Sequence, residues 1–396
     1  MFSSVEFIFW ISVFIIAYVY VGYGVLLSIL VKFKKKKEPT PLSDAQLPTL
    51  SLLVAAYNEK EIVDIKIKNS LQLNYPKEKL KLVWVTDGSN DGTPEYIAEK
   101  YPFVTVLHND ERRGKTAALN RAIELIDTPI IVCCDANTML NTEALREITT
   151  SFTLPNVGLV GGEKKVRQAN ADDAASSGES TYWKYESWQK KTEAQFYSAI
   201  AVAGELFAIK KDLYVPIPED TILDDFVLSL HVIEQGYIIA YNPNAYATEE
   251  SSANISEEIK RKIRISAGGF QTIFRYPQFL NIFKHPLYSF EYFSHKLLRW
   301  LVVPFAFIIV FFLNLYLALY SSQHWHLFYQ ILALLQIIYY LLAFLGWTIR
   351  NKKTQLKILF IPFYITLMNW TTILGLFRYL KKNQNQRWEK ASRKKA

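Results

Sequence analysis

The 396-residue chain has only two cysteines, Cys133 and Cys134, and they are adjacent. Neighbouring cysteines close no stabilising loop, so a disulfide framework is excluded and a reducing compartment fits. No Gly-x-Gly-x-x-Gly follows the first strand-like run, which removes the fingerprint of a dinucleotide enzyme. Gly114-Lys115-Thr116 imitates the end of an ATPase phosphate loop, but Asn109 stands where that loop needs its first glycine. There is no internal repeat and no low-complexity stretch.

What the chain does have is apolar surface: 50% of its residues are hydrophobic and 15% aromatic. They are concentrated at the two ends. Phe7 to Val31 carries no charge, a run longer than the roughly 20 residues that cross a bilayer. Nothing basic precedes it, whereas Lys32, Lys34, Lys35, Lys36 and Lys37 follow. That is the pattern of a retained anchor with its C-terminal end in the cytoplasm, not of a signal peptide. Further apolar runs occupy about 300–320, 326–348 and 356–378. The link at 321–326 lacks Lys and Arg and suits the outside; Arg350-Asn-Lys-Lys353 is basic and suits the inside. A crossing by 356–378 would then put Arg378, Lys381, Lys382 and the rest of a basic tail outside. That run, with Pro362 and Gly375, is therefore expected to be re-entrant or interfacial.

The expected layout is a membrane helix at 1–32, a basic linker at 33–47 and a cytoplasmic domain at 48–280. An interfacial segment at 281–299, two or three membrane segments within 300–378 and a basic tail at 379–396 follow. The protein is expected to be multi-pass in the cell membrane. The net charge of +8 gathers at membrane borders, where anionic lipid is the partner, and calls for no nucleic acid.

Within the central domain short apolar runs alternate with amphipathic ones. Strands are expected at 49–55, 80–86, 103–107 and 129–134, and helices at 60–73, 94–100, 115–126 and 142–153. Thr93-Pro94-Glu95 reads as a helix start, with Thr93 as the cap. This alternation predicts an α/β domain with a mostly parallel sheet covered on both faces. Ligands of such sheets bind beyond the carboxyl ends of the strands.

Acids collect at those ends. The first strand runs into Ala56-Tyr57-Asn58-Glu59, the second into Asp87 and Asp91, and the fourth into Asp135-Ala136-Asn137. Turn formation explains any one of these loops; three acidic strand ends together point to a cation or a hydrogen-bonding ligand. Asp135 and Asn137 present oxygens suited to Mg²⁺ or Mn²⁺ shared with substrate phosphates. Asp87 could instead accept hydrogen bonds from a base or ribose. Lys115, opening a helix after Arg112-Arg113-Gly114, makes a diphosphate cradle with the helix-start amides. Asp224 and Asp225 are either acids favoured by a helix dipole or a general base with a raised pKa. Arg261 and Arg264 share a helix face, either solvated or holding phosphate oxygens.

These motifs, in this order and between membrane segments, resemble the membrane-bound family 2 glycosyltransferases with a glycosyltransferase A fold, the group of the cellulose, chitin and hyaluronan synthases. The likeness covers about residues 48–275. It implies a Rossmann-like cytoplasmic domain that transfers a sugar, with inversion, from a nucleotide diphosphate donor such as a UDP-sugar to a glycan or lipid-linked hydroxyl. Ala56, Tyr57, Glu59 and Asp87 would form the nucleoside pocket. Lys115, Arg261 and Arg264 would meet the diphosphate, Asp135 and Asn137 the metal, and Asp225, beside Asp224, would be the base. Gly204 to Lys210 resembles the segment beside the acceptor. Ile265 stands where polymerising members keep a tryptophan, which argues against long-chain synthesis. Tyr182, Trp183, Tyr185 and Trp188 offer sugar-stacking faces or a helix at the membrane surface. The competing readings are a non-catalytic nucleotide-sugar sensor in the membrane, which the Asp224-Asp225 pair argues against, and a membrane ATPase.

Overall fold

A computed structural model describes residues 3–35, 37–167, 174–250, 255–321, 323–349 and 357–382. They fall into two compact units, one from residues 34–167 and 182–251, the other from 1–33, 168–181 and 252–383. The link at 350–353 and the tail beyond Lys382 lie outside the described residues.

The chain opens with helix α1 (Ser4–Ala17), whose first turn is closed reciprocally: Glu6 N–H donates to the Ser3 hydroxyl, and Ser3 N–H donates to the Glu6 carboxylate at 2.8 Å. A π-helical turn at Tyr18–Gly22 leads into α2 (Tyr23–Lys32).

The next unit is an eight-stranded mixed sheet. Its strands are β1 (Leu50–Ala56), β2 (Leu80–Asp87), β3 (Thr105–Asn109), β4 (Ile130–Asp135), β5 (Met139–Leu140), β6 (Val157–Arg167), β7 (Leu206–Lys210) and β8 (Ile238–Glu250). Their order across the sheet is β3-β2-β1-β4-β7-β6-β8-β5. β3, β2, β1 and β4 run parallel, as the sequence predicts. β7 is antiparallel to both neighbours, and β6 pairs in parallel with β8. Helices α3 (Val63–Leu71), α4 (Thr93–Lys100), α5 (Lys115–Leu125), α6 (Ala144–Ser151), α7 (Ala174–Phe196) and α8 (Asp224–Glu234) connect and cover the strands.

Every residue of β1 is buried, because a central strand is covered on both faces and needs an unbroken apolar run. Leu52, Val54, Trp84, Val132, Leu145 and Ile148 belong to one core cluster behind the strand ends. The expected helix at 60–73 begins instead with a 3₁₀ turn, Lys60–Ile62, before α3. Thr93 is the first helical residue and not the cap, which is Gly92; the Asp91 carboxylate, one residue further back, accepts the Thr93 N–H at 3.0 Å. Burial works against the Asp91 charge, but hydrogen bonds from Thr93 and Lys60 overrule it and hold the carboxyl low.

The other unit continues with α9 (Ile255–Arg275), α10 (Pro286–Tyr292), a π-helical stretch Phe293–Val302, α11 (Val303–Tyr320), α12 (Gln323–Thr348) and α13 (Lys357–Leu380). The expected interfacial segment is thus the start of one helical run, Pro286–Tyr320. Among the described residues four helices are long and apolar enough to cross a membrane: Ser4–Lys32, Pro286–Tyr320, Trp325–Thr348 and Ile358–Leu380.

Candidate active site

The sheet register places the functional strand ends together. β1 lies between β2 and β4, with Ala56 opposite Thr86 and Ala55 opposite Asp135. Asp87 and Asp135 therefore flank the end of β1 on strands two spacings, about 10 Å, apart. Leu206 pairs with Cys134, so the chain entering β7 passes the end of β4 and carries Gly204 and Glu205 with it.

One loop bridges the two acids. Arg113 and Gly114 donate their backbone N–H groups to Asp87 Oδ2 at 2.9 and 2.6 Å. The next residue, Lys115, sends its ammonium to Asp135 Oδ1 at 2.6 Å. Burial pushes the Asp87 carboxyl up, against the Gly114 and Arg113 amides that favour its charge. Its other oxygen is buried, makes no hydrogen bond among the described residues, and has Arg121 at 4.0 Å. Asp87 borders a narrow cleft with Ala56, Tyr57, Val85, Arg112 and Lys115. The Arg112 guanidinium lies 3.8 Å from the centre of the Tyr57 ring, a cation–π stack at the cleft. The loop after β1 is fastened to the loop after β2: Asn58 N–H donates to Ser89, Glu59 N–H to Thr93 and Lys60 N–H to Asp91.

α8 brings the remaining acids. Its lead-in is laced along α5, where Asn120 exchanges hydrogen bonds of 2.8 and 3.0 Å with the backbone of Ile217 and Arg113 pairs with Glu219. Ser229 then ties α8 to the β7 lead-in by accepting Val202 N–H at 3.2 Å. A Cβ on Gly204 would sit 3.4 Å from both Asp225 Oδ2 and Lys115 Nζ, so this glycine lies against the proposed base and the ammonium together.

The charges are mutually adjusted. Burial alone would strip the proton from Lys115, but Asp135, Asp224 and Asp225 overrule it and raise its pKa. Burial raises Asp135, with Lys115 opposing and Glu205 adding to the shift. Burial and then the Asp224 charge push Asp225 up to about 7, where a carboxylate becomes a useful proton acceptor near neutrality. Glu205 and Glu249 share the buried ammonium of Lys164, over which the Trp183 ring lies at 5.0 Å.

Among the described residues no three His, Cys, Asp or Glu side chains are placed to hold a metal. The fit to one is of another kind. Asp135 and Asn137 supply oxygen on a single turn with a cation already drawn to it, which suits Mg²⁺ or Mn²⁺ shared with a diphosphate.

Lys115 draws Asp135 and Asp225 together, and it shares with Asp87 a cleft that Ala56 and Tyr57 also line. Arg261 and Arg264 are not part of this unit; they lie on α9, where Arg261 is engaged by Glu258 at 2.9 Å. Trp183, Tyr185 and Trp188 lie on α7, while the Tyr182 side chain lies outside the described residues. Sequence reasoning missed Arg112, Arg121, Glu205 and Lys164. Arg112 and Glu205 stood inside motifs already singled out; Arg121 and Lys164 carried no signal.

Family and relatives accord with this geometry. The family described as glycosyltransferase like family 2 matches residues 48–268, and the chain belongs to it. The mixed α/β sheet is of the glycosyltransferase A type. The chain is 27% identical over 255 residues to a poly-β-1,6-N-acetyl-D-glucosamine synthase of Staphylococcus aureus, covering 62% of this chain and 60% of that protein. A namesake from Staphylococcus epidermidis is 27% identical over 244 residues, covering 58% and 57%. The chain thus spans about three fifths of the length of these curated relatives. Among solved structures, a mannosyltransferase from Pyrobaculum calidifontis in complex with GDP-mannose and Mn²⁺ shares the fold at a TM-score of 0.70 and 21% identity, over 95% of this chain and all of that one.

Proposed function

We propose that the chain is a metal-assisted, inverting glycosyltransferase. It moves a sugar from a nucleotide diphosphate donor, a UDP-sugar, to a hydroxyl of a glycan or lipid-linked acceptor on the cytoplasmic face of the membrane. The observation that carries this is the Arg113–Lys115 loop, which holds Asp87 by two amides and Asp135 by an ammonium.

In this reading Tyr57, Arg112 and Asp87 receive the nucleoside, the Asp87 oxygen without a hydrogen bond accepting from it. The N-terminus of α5 and Lys115 face the diphosphate. A divalent ion at Asp135 and Asn137, when bound, supplies further positive charge for the leaving group. Asp225 takes the proton of the acceptor hydroxyl, whose oxygen forms a bond to the anomeric carbon. The bond from that carbon to the diphosphate oxygen breaks on the opposite face, and the nucleoside diphosphate leaves with the electron pair. Arg261 and Arg264 are assigned to phosphate oxygens on the strength of the family motif. Gly204 and Glu205 are assigned to the acceptor side.

The test is to incubate purified full-length protein with Mn²⁺ and a panel of UDP-N-acetylglucosamine, UDP-glucose and GDP-mannose. Nucleoside diphosphate release and product mass are followed. Release from one donor with a matching mass increment on a membrane acceptor supports the reading. Tight donor binding with no release would make the chain a sensor, and ATP hydrolysis without a sugar nucleotide would make it an ATPase.

A further inference from the structure

The sheet splits beside the candidate site. β6 and β7 pair at Leu159–Ile209, Val160–Ala208 and Gly161–Phe207, and β6 then continues with β8 alone, as far as Arg167 opposite Glu250. The chain entering β7 therefore parts from β6 where it carries Gly204 and Glu205 past the end of β4. Its backbone is held lightly there. Val202 N–H donates to Ser229, and Leu206 N–H to the Ala203 carbonyl at 3.2 Å. The Gly204 carbonyl accepts from Lys115 and the Glu205 carbonyl from Thr138, both at 3.5 Å.

One buried ammonium spans the gap. The Lys164 side chain, on β6, is only 2% exposed and forms ion pairs with Glu205 across the split and with Glu249 on β8, themselves 17% and 4% exposed. A bulge brings the three together. Gly162 stands opposite Asn242, but the next residue, Glu163, stands opposite Tyr246, so residues 243–245 of β8 are extra. The offset sets Lys164 opposite Ala247, with Glu249 two residues on and on the same face. Without it Lys164 would stand opposite Asn244, and Glu249 would lie further off on the other face. Gly162 allows this packing: a Cβ there would lie 2.6 Å from Leu206 Cδ2 and 2.9 Å from the Ala245 carbonyl oxygen. From α7 the Trp183 ring covers the cluster, 5.0 Å from the Lys164 ammonium and 5.8 Å from that of Lys190.

Joining strands does not require three buried charges, since apolar residues of the same volume often hold as well or better. What this trio supplies and an apolar one does not is a fixed place for Glu205 beside the reacting groups. The charges of Glu205 and Glu249 act on Asp135, and that of Glu205 on Asp225. Gly204, the residue before Glu205, lies against Asp225 Oδ2 and Lys115 Nζ, each 3.4 Å from the place of its absent Cβ. A misplacement of about 1 Å at such a point is enough to cost about 10²-fold in rate.

We propose that Lys164 is a positioning residue for sugar transfer: by holding Glu205 across the split it seats the Gly204–Glu205 backbone against Asp225, so that the acceptor hydroxyl, and not water, meets the base. It acts through Glu205. The catalytic consequence rests on the sugar-transfer reading above, whereas the span itself rests on the sheet geometry alone.

Two variants of the full-length protein separate positioning from stability. In Lys164→Met/Glu205→Gln/Glu249→Gln the whole trio is neutral, so no buried charge is left without a partner and the melting temperature should stay close to native. Glu205→Gln alone loosens the span while Lys164 keeps Glu249. Hydrogen exchange is read by mass spectrometry on peptides covering 200–205 and β7. Exchange should be faster over 200–205 in both variants and unchanged in β7. With the preferred donor, both should bind the donor normally, lose about 10²-fold in transfer and release a larger share of nucleoside diphosphate by hydrolysis. Lys164→Arg, which keeps the charge, should retain native exchange and native transfer. Native exchange over 200–205 in both neutral variants overturns the proposal, whether or not a donor is turned over. So does a native ratio of transfer to hydrolysis in both, if the native chain transfers sugar. A native chain that releases no nucleoside diphosphate counts against the sugar-transfer reading, and exchange alone then decides the span.

Discussion

The two ends of the candidate site hold their carboxylates in different ways. At the Asp87 end the backbone does the work: two consecutive amides grip one oxygen, and the other is left buried and available. At the Asp135–Asp225 end the backbone contributes less, one amide, Phe226 N–H, donating to Asp225 Oδ1 at 2.8 Å. Side chains balance one another there, with Lys115 serving three acids and Lys164 serving Glu205 and Glu249. A backbone-built pocket is rigid and suits recognition of a constant part of a substrate, the nucleoside. A charge-balanced one can exchange its partners, which suits the place where charge moves during reaction.

The contrast can be broken most severely at Asp225. Asp225→Asn should lower kcat by about 10²- to 10⁴-fold, the usual contribution of a general base, while leaving donor affinity unchanged. Steady-state kinetics with the preferred donor decide this, and an unaltered kcat removes the proposed base. A smaller effect follows from its proton affinity. The base must be ionised, and the pKa of Asp225 is raised to about 7. The kcat/KM of the native protein should therefore fall as pH drops below about 7, approaching tenfold per unit, and Asp225→Asn should lack that limb. The smallest effect is on stability. A carboxyl whose pKa is raised on folding binds its proton more tightly in the fold. Folding stability is then lost as pH rises from the ordinary carboxylate range, 3.8, toward about 7. Asp225→Asn removes that cost, so at about pH 8 its melting temperature should exceed that of the native chain, with the gap closing in acid. Burial raises the Asp87 carboxyl as well, so Asp87→Asn should shift the melting temperature in the same direction at that pH.

The sequence made the parallel half of the sheet legible because β1, β2 and β4 are short, mostly apolar runs followed by loops rich in Asp, Asn and Gly. β6 and β8 were hidden by the same logic. β6 carries Gly161-Gly162 and then the charged Glu163-Lys164-Lys165, and β8 contains Pro243 between two asparagines. Neither has the apolar run or strict alternation by which a strand is recognised. Asp87, Lys115, Asp135 and Asp225 stood out because each sits where a strand or helix boundary can be read. Lys164 did not: its partners Glu205, just before β7, and Glu249, in β8, lie far along the chain, and only sheet order brings them together. Hydropathy admits α13 as a span, whereas the basic residues that follow the run argue against a crossing.

The most direct test of the account is calorimetric titration of the purified full-length protein with a nucleoside diphosphate, with and without Mn²⁺. Asp87→Asn and Asp135→Asn are compared with the native chain. The expected result is Mn²⁺-dependent binding by the native protein, weakened about tenfold or more by either substitution, since each removes a charged contact to one ligand. Of the two, only Asp135→Asn should abolish the response to Mn²⁺. Native affinity in either variant, or binding indifferent to Mn²⁺ in all three proteins, would contradict a single donor pocket spanning the ends of β2 and β4.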